Sequence, residues 1–102
     1  MGQNIVLDTR SITYLEGGGN YTYVHTLTGK KYLVCKTLKT MTVRLGLGFM
    51  RVHKSFLVNL RQIEMRNIEN NVLLLRCGGT AYVSKRKRKE LDSRLRTGKQ
   101  GL

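Results

Sequence analysis

A chain of 102 residues holds one compact domain and is too short for two independent cores. Its hydrophobic 40% comes in short runs, none near the roughly 20 apolar residues of a membrane-spanning helix, and no basic-then-apolar secretory signal opens it, so it reads as cytoplasmic. Against 6 acidic residues stand 19 Lys and Arg, and the formal net charge of +13 calls for an anionic partner.

Nucleic acid is the default polyanion, because neutralised phosphates release counterions to solution. A membrane surface would require a long amphipathic helix with bulky apolar residues opposite its lysines, and the sequence contains none.

In chain order, short β-like segments come first: Asn4 to Leu7, Ile12 to Glu16, and Tyr21 to Leu27. In the third, Tyr21, Tyr23 and His25 alternate with Thr22, Val24 and Thr26, which predicts a strand with two different faces. Thr28-Gly29-Lys30 reads as a hairpin turn and Lys31 to Cys35 as the returning strand. The period then changes. Leu38, Met41 and Leu45 line one helical face, Thr37 suits the helix start and Gly46 its end. Strands resume at Phe49 to Val52, Phe56 to Leu60 and Ile63 to Ile68; a turn at Glu69-Asn70-Asn71 follows, then a strand at Val72 to Arg76. After a turn at Gly78-Gly79 comes a last strand, Thr80 to Val83. Ser84 precedes five consecutive cations, Lys85 to Lys89, and Leu91 with Leu95 forms a thin apolar stripe beyond them. Ser84 is placed to cap a terminal helix whose cationic first turn opposes the helix dipole and would gain from a bound phosphate.

Three motifs stand out. The glycines of Gly17-Gly18-Gly19 let the backbone bend or approach a ligand closely, and Asn20 beside them offers an amide able to read a base edge. No Gly-Lys-Ser/Thr follows, which excludes a phosphate-binding P-loop. His53-Lys54-Ser55 interrupts two apolar strands: His53 alone fits a structural histidine, but the three together make a compact donor set for phosphate and base oxygens. A catalytic Ser-His pair would need an acid and a nucleophile elbow; Glu64 is the only nearby acid and there is no elbow, so no catalytic residue is assigned and the chain is not read as an enzyme. The basic run after Ser84 is anchored on both sides, by Val83 and by the leucines, which suits binding better than a floating tail. Cys35 and Cys77 lack partners at metal-ligand spacing, so no metal or cofactor is expected; each ends an apolar run and reads as a reduced, partly buried thiol.

Leu15-Glu16 with Gly19-Asn20-Tyr21, Lys36-Thr37-Leu38-Lys39, Arg51-Val52-His53-Lys54-Ser55-Phe56-Leu57-Val58-Asn59 and Val83-Ser84-Lys85-Arg86 together resemble the LytTR domains of bacterial response regulators, from about residue 5 to about residue 96. The resemblance implies an elongated, mostly all-β fold of about ten short strands in stacked antiparallel sheets, with one short helix and a basic C-terminal helical turn. Its loops, rather than a recognition helix, would enter successive major grooves. Carried over by position, Asn20, Tyr21, Lys54 and Arg86 would contact bases, while His53, Ser55, Ser84, Lys85, Lys87 and Lys89 would hold phosphates. The family's first strand is longer than what precedes Ile12, and its helix carries acidic residues absent after Thr37. Family members usually follow a phosphoacceptor receiver domain, so the chain reads as a free-standing regulator or an excised output domain of a two-component system.

The expected function is sequence-specific double-stranded DNA binding in transcription control. With no heptad pattern for a coiled coil, a monomer or weak dimer that binds tandem direct repeats is expected. Two other classes remain open. A basic β domain that binds RNA would stack unpaired bases on Tyr21, Tyr23 or Tyr32; a protein-interaction module would show no duplex binding at all.

Overall fold

A computed structural model of the chain describes residues 6–100, with eight strands among them. They are β1 (Ile12–Gly17), β2 (Thr22–Thr26), β3 (Lys31–Val34), β4 (Phe49–His53), β5 (Phe56–Asn59), β6 (Ile63–Asn67), β7 (Val72–Leu75) and β8 (Thr80–Tyr82). Helix α1 (Leu38–Leu45) lies between β3 and β4, and α2 (Arg88–Gln100) follows a 3-10 turn at Lys85–Lys87. A five-stranded antiparallel sheet runs β3-β2-β1-β5-β4, and a three-stranded one runs β6-β7-β8.

The larger sheet is the middle layer. On one face α1 lays Leu38, Met41 and Leu45 over Ile12, Leu15, Val24, Phe49 and Leu57. On the other, Tyr14, Met50, Val52, Phe56 and Val58 meet Leu73, Leu75, Ala81 and Val83 of the second sheet and Leu91 of α2. Being covered on both faces, β5 carries the unbroken apolar run Phe56-Leu57-Val58 instead of an alternation. Asn59 ends that run buried, its amide donating to the Ile12 carbonyl at 2.8 Å and its side-chain oxygen accepting from the Arg61 amide at 3.0 Å. In β1 the register shifts between Ile12 and Tyr14, which lets Ile12 and Leu15, three residues apart, share the α1 face.

The alternation in β2 resolves with Thr22, Val24 and Thr26 inward. The threonines can be buried because each hydroxyl has a carbonyl to bond: Thr22 to Lys36 and Thr26 to Lys30, both at 2.8 Å. Helix α1 begins as its sequence predicts, with the Thr37 hydroxyl accepting the Thr40 amide at 3.2 Å. It ends at Gly46, whose φ of 76° suits a residue without a Cβ.

Three expectations are corrected. Val6 and Leu7 form no strand, and the Asn4 and Ile5 half of the proposed Asn4–Leu7 strand lies outside the described residues. The mostly β architecture of stacked antiparallel sheets is as expected, with eight strands among the described residues where the resemblance implied about ten. Cys35 is exposed, because it follows β3, an edge strand whose inward positions are Tyr32 and Val34; Cys77 alone is half-buried, its sulfur 3.1 Å from the Thr13 hydroxyl. The Ser84 hydroxyl caps nothing: Lys85–Lys87 forms a separate 3-10 turn in which the Lys87 amide bonds the Ser84 carbonyl at 3.0 Å, and α2 starts afterwards with Glu90 in its first turn.

His25, on the outer side of β2, stacks on the Tyr14 ring at 4.1 Å and 4°. Its Nε2 is 3.4 Å from a Glu16 carboxylate oxygen yet makes no hydrogen bond, and burial lowers the His25 pKa despite Glu16. Unfolded His25 titrates near 6.5 and the folded residue lower, so below about pH 6.5 the unfolded chain binds more protons. Its contribution to stability is therefore complete above that pH and is lost as the pH falls through the folded value. Urea midpoints should drop between about pH 7.5 and pH 5, and part of that drop should vanish in His25→Phe, which keeps the ring stack. An identical pH dependence in the variant would remove His25 as the cause.

Candidate nucleic-acid interface

Strands β1, β4 and β5 bring the three sequence motifs to one end of the large sheet. The Gly17 amide, entering the first loop, donates to the Ser55 carbonyl of the second at 2.9 Å. The register of β4 on β5 shifts between Arg51 and His53, and in that irregular step the Val52 carbonyl accepts the Ser84 amide at 2.8 Å. Two backbone hydrogen bonds thus tie the first loop to the second and the second to the basic turn.

In the first loop Gly19 has a φ of 78°, and a Cβ at Gly18 would come within 2.9 Å of the Tyr21 ring. The glycines therefore let Tyr21 fold back over the loop, where it meets Tyr23 edge-on with ring centres 5.7 Å apart. Asn20 stands exposed beside it.

In the second loop Lys54 is exposed and His53 is half-buried. The His53 Nδ1 accepts the Ser55 amide at 3.0 Å, which leaves Nε2 as the protonated nitrogen of the neutral ring and an available donor. The His53 ring lies near Phe56 and Tyr82, at 5.6 and 6.5 Å between centres. Tyr82 is 56% exposed between the second loop and the basic turn, at the edge of the interface. Sequence reading assigned it no role; its place in a short strand directly before Val83-Ser84 was the available signal.

In the basic turn Lys85 and Arg86 are exposed, as is Lys89 in the first turn of α2. Among the described residues, the side chains of Asn20, Lys54, Lys85, Arg86 and Lys89 have no hydrogen-bond or ion-pair partner within the chain. Lys87 differs, because Glu90 takes its ammonium at 3.4 Å. The turn is held from below: Leu91 is fully buried, Arg66 of β6 pairs with Asp92, and Arg94 donates to the Leu47 and Phe49 carbonyls. The Arg66 guanidinium lowers the Asp92 pKa, which keeps that link charged near neutral pH.

The end of the molecule thus presents unpaired cations and amides on a rigid sheet, a donor surface for an anionic partner. Among the described residues no group of His, Cys, Asp and Glu could hold a metal ion, and no helix is long and apolar enough to cross a membrane.

Comparison with known proteins agrees with this geometry. Among curated proteins there is no match. Among solved structures, the LytTr DNA-binding domain of a protein described as a methyl-accepting/DNA response regulator from Bacillus cereus shares the fold, with a TM-score of 0.71 at 24% identity over 91% of this chain and 84% of that one. The family model of the LytTr DNA-binding domain matches residues 2–96. A match that spans nearly the whole chain, on a fold shared with a solved member, makes this protein a member of the LytTR family of DNA-binding domains.

Proposed function

We propose that the chain is one domain that recognises a specific double-stranded DNA sequence in the bacterial cytoplasm, as the output domain of a two-component response regulator. The observation that carries this reading is the convergence of the three motifs, tied through Gly17–Ser55 and Val52–Ser84, with Asn20, Lys54 and Arg86 left unpaired. Loops held this way by a sheet can enter successive major grooves from one side. Asn20, Tyr21, Lys54 and Arg86 meet base edges, since amides, ammonium and guanidinium groups match the donor and acceptor pattern there. Lys85 and Lys89 hold phosphates with Lys87, whose share is reduced by Glu90, while His53 through Nε2 and the hydroxyls of Ser55 and Ser84 position the backbone. The chain acts as a monomer or weak dimer, and two copies occupy a direct repeat about one helical turn, roughly 10 base pairs, apart.

Selection of bound sequences from a random duplex pool tests this directly. The selected site should be a direct repeat, duplex DNA should outcompete single-stranded RNA, and Lys54→Ala and Arg86→Ala should each lose about 1–3 kcal/mol of discrimination at one base pair. Lys85→Ala and Lys89→Ala should weaken all duplexes alike. A palindromic site would remove the tandem arrangement, and equal losses on cognate and scrambled duplexes for Arg86→Ala would remove its base-reading role.

A further inference from the structure

The second loop joins β4 to β5 through only two residues, Lys54 and Ser55. Two-residue hairpins normally use turns with positive φ, whose twist matches that of the strands; other turns splay them. Among the described residues, Asn71 is the non-glycine residue with positive φ, so neither Lys54 nor Ser55 adopts that conformation. Something other than turn geometry must hold this loop.

Arg51, on β4, supplies it. Its Nε donates to the His53 carbonyl at 3.4 Å and its Nη2 to the Lys54 carbonyl at 2.5 Å, so one edge of the planar guanidinium grips two successive peptide oxygens. Within the loop itself the Ser55 amide is taken by His53 Nδ1, from the end of β4, at 3.0 Å. The loop backbone is thus closed from within, and the Lys54 side chain remains unengaged.

We propose that Arg51 is the positioning residue of DNA sequence recognition: its guanidinium fork fixes the Lys54 backbone so that the Lys54 ammonium meets one base pair in one orientation. This rests on the reading that Lys54 contacts a base. Arg51 itself contributes shape to the interface and not a phosphate contact. A lysine cannot replace it, since a single ammonium lacks the two parallel donors.

Two measurements on the full chain separate this inference from the reading beneath it. In the free protein, hydrogen exchange of the Ser55 amide should quicken roughly tenfold in Arg51→Lys and Arg51→Gln, the factor set by one lost charge-assisted hydrogen bond. Unchanged exchange overturns the inference whatever happens with DNA. With DNA, both variants should lose roughly tenfold in discrimination at the base pair that Lys54→Ala affects, and neither loss should add to that of Lys54→Ala. Their salt dependence should match that of the parent. Should Arg51→Lys restore discrimination while Arg51→Gln lowers the log–log salt slope by roughly one, Arg51 is a phosphate contact and the inference fails. Should Lys54→Ala leave discrimination intact, the base contact is wrong, and the Ser55 exchange rate still decides the role of Arg51. Urea unfolding curves of both variants that overlay the parent's show that the hairpin alone is affected; a clear downward shift of the midpoint makes Arg51 a general structural residue and overturns its specific role.

Discussion

Duplex affinity should fall steeply with salt, by at least roughly 40-fold between about 50 and about 200 mM. The reason is a count of cations. Lys85, Lys87 and Lys89 are the charged groups proposed to hold phosphates in the basic turn and at the start of α2, and each neutralised phosphate contributes about −0.9 to the log–log slope. Three such contacts over a fourfold rise in salt give roughly 40-fold, and six to ten phosphate contacts, as a full site with further cations would make, give about 10³ to 10⁵. The hydroxyl donors Ser55 and Ser84 orient the backbone without adding to this slope. Because Glu90 already holds Lys87, Glu90→Gln should steepen the slope, whereas Lys85→Ala should reduce its magnitude by roughly one. Fluorescence anisotropy across a salt series measures both. A flat response would exclude nucleic acid as the partner, in spite of a net charge of +13.

The second large effect is on stability, and it comes from the far side of the basic turn. Leu91→Ala should destabilise the protein by about 2–5 kcal/mol, since it removes a fully buried side chain from the layer between the two sheets. Among the described residues α2 has little else apolar to hold it: Leu95 packs against the same cluster only in part, and its polar ties include the Arg66–Asp92 pair and the Arg94 contacts to Leu47 and Phe49. The Lys85–Lys87 turn continues directly into this helix, so loss of its anchor should also reduce sequence discrimination by Arg86. Urea unfolding gives the stability change, and binding measured on the folded fraction gives the second effect. A cost under about 1 kcal/mol would mean that α2 is held by its polar ties alone.

How much of this was legible in the sequence depends on the distance over which each feature is decided. The hairpin at Thr28-Gly29-Lys30, the Thr37 start and Gly46 end of α1, and the strand positions to within about two residues follow from local patterns of alternation, capping and turn residues. The motif resemblance extended this to the family, because those short blocks keep their order and spacing along the chain. Cys35 was misplaced for a local reason too: an apolar run shows that a strand exists but does not show that it lies at a sheet edge.

Composition, charge and motif order by themselves determined a small basic β domain and its family. Only the tertiary structure decided which face of β2 turns inward, that β1 pairs with β5 across some forty residues of sequence, and that a shift in β4 leaves the Val52 carbonyl for Ser84. The same holds for the Arg51 fork, which depends on where two loop carbonyls point and leaves no periodic trace in sequence. The physical reason is common to all of these. Short-range propensity acts through neighbouring backbone and side chains, whereas strand order and loop convergence are set by contacts between residues far apart, and a doubly buried strand such as β5 carries no alternation to name its partners.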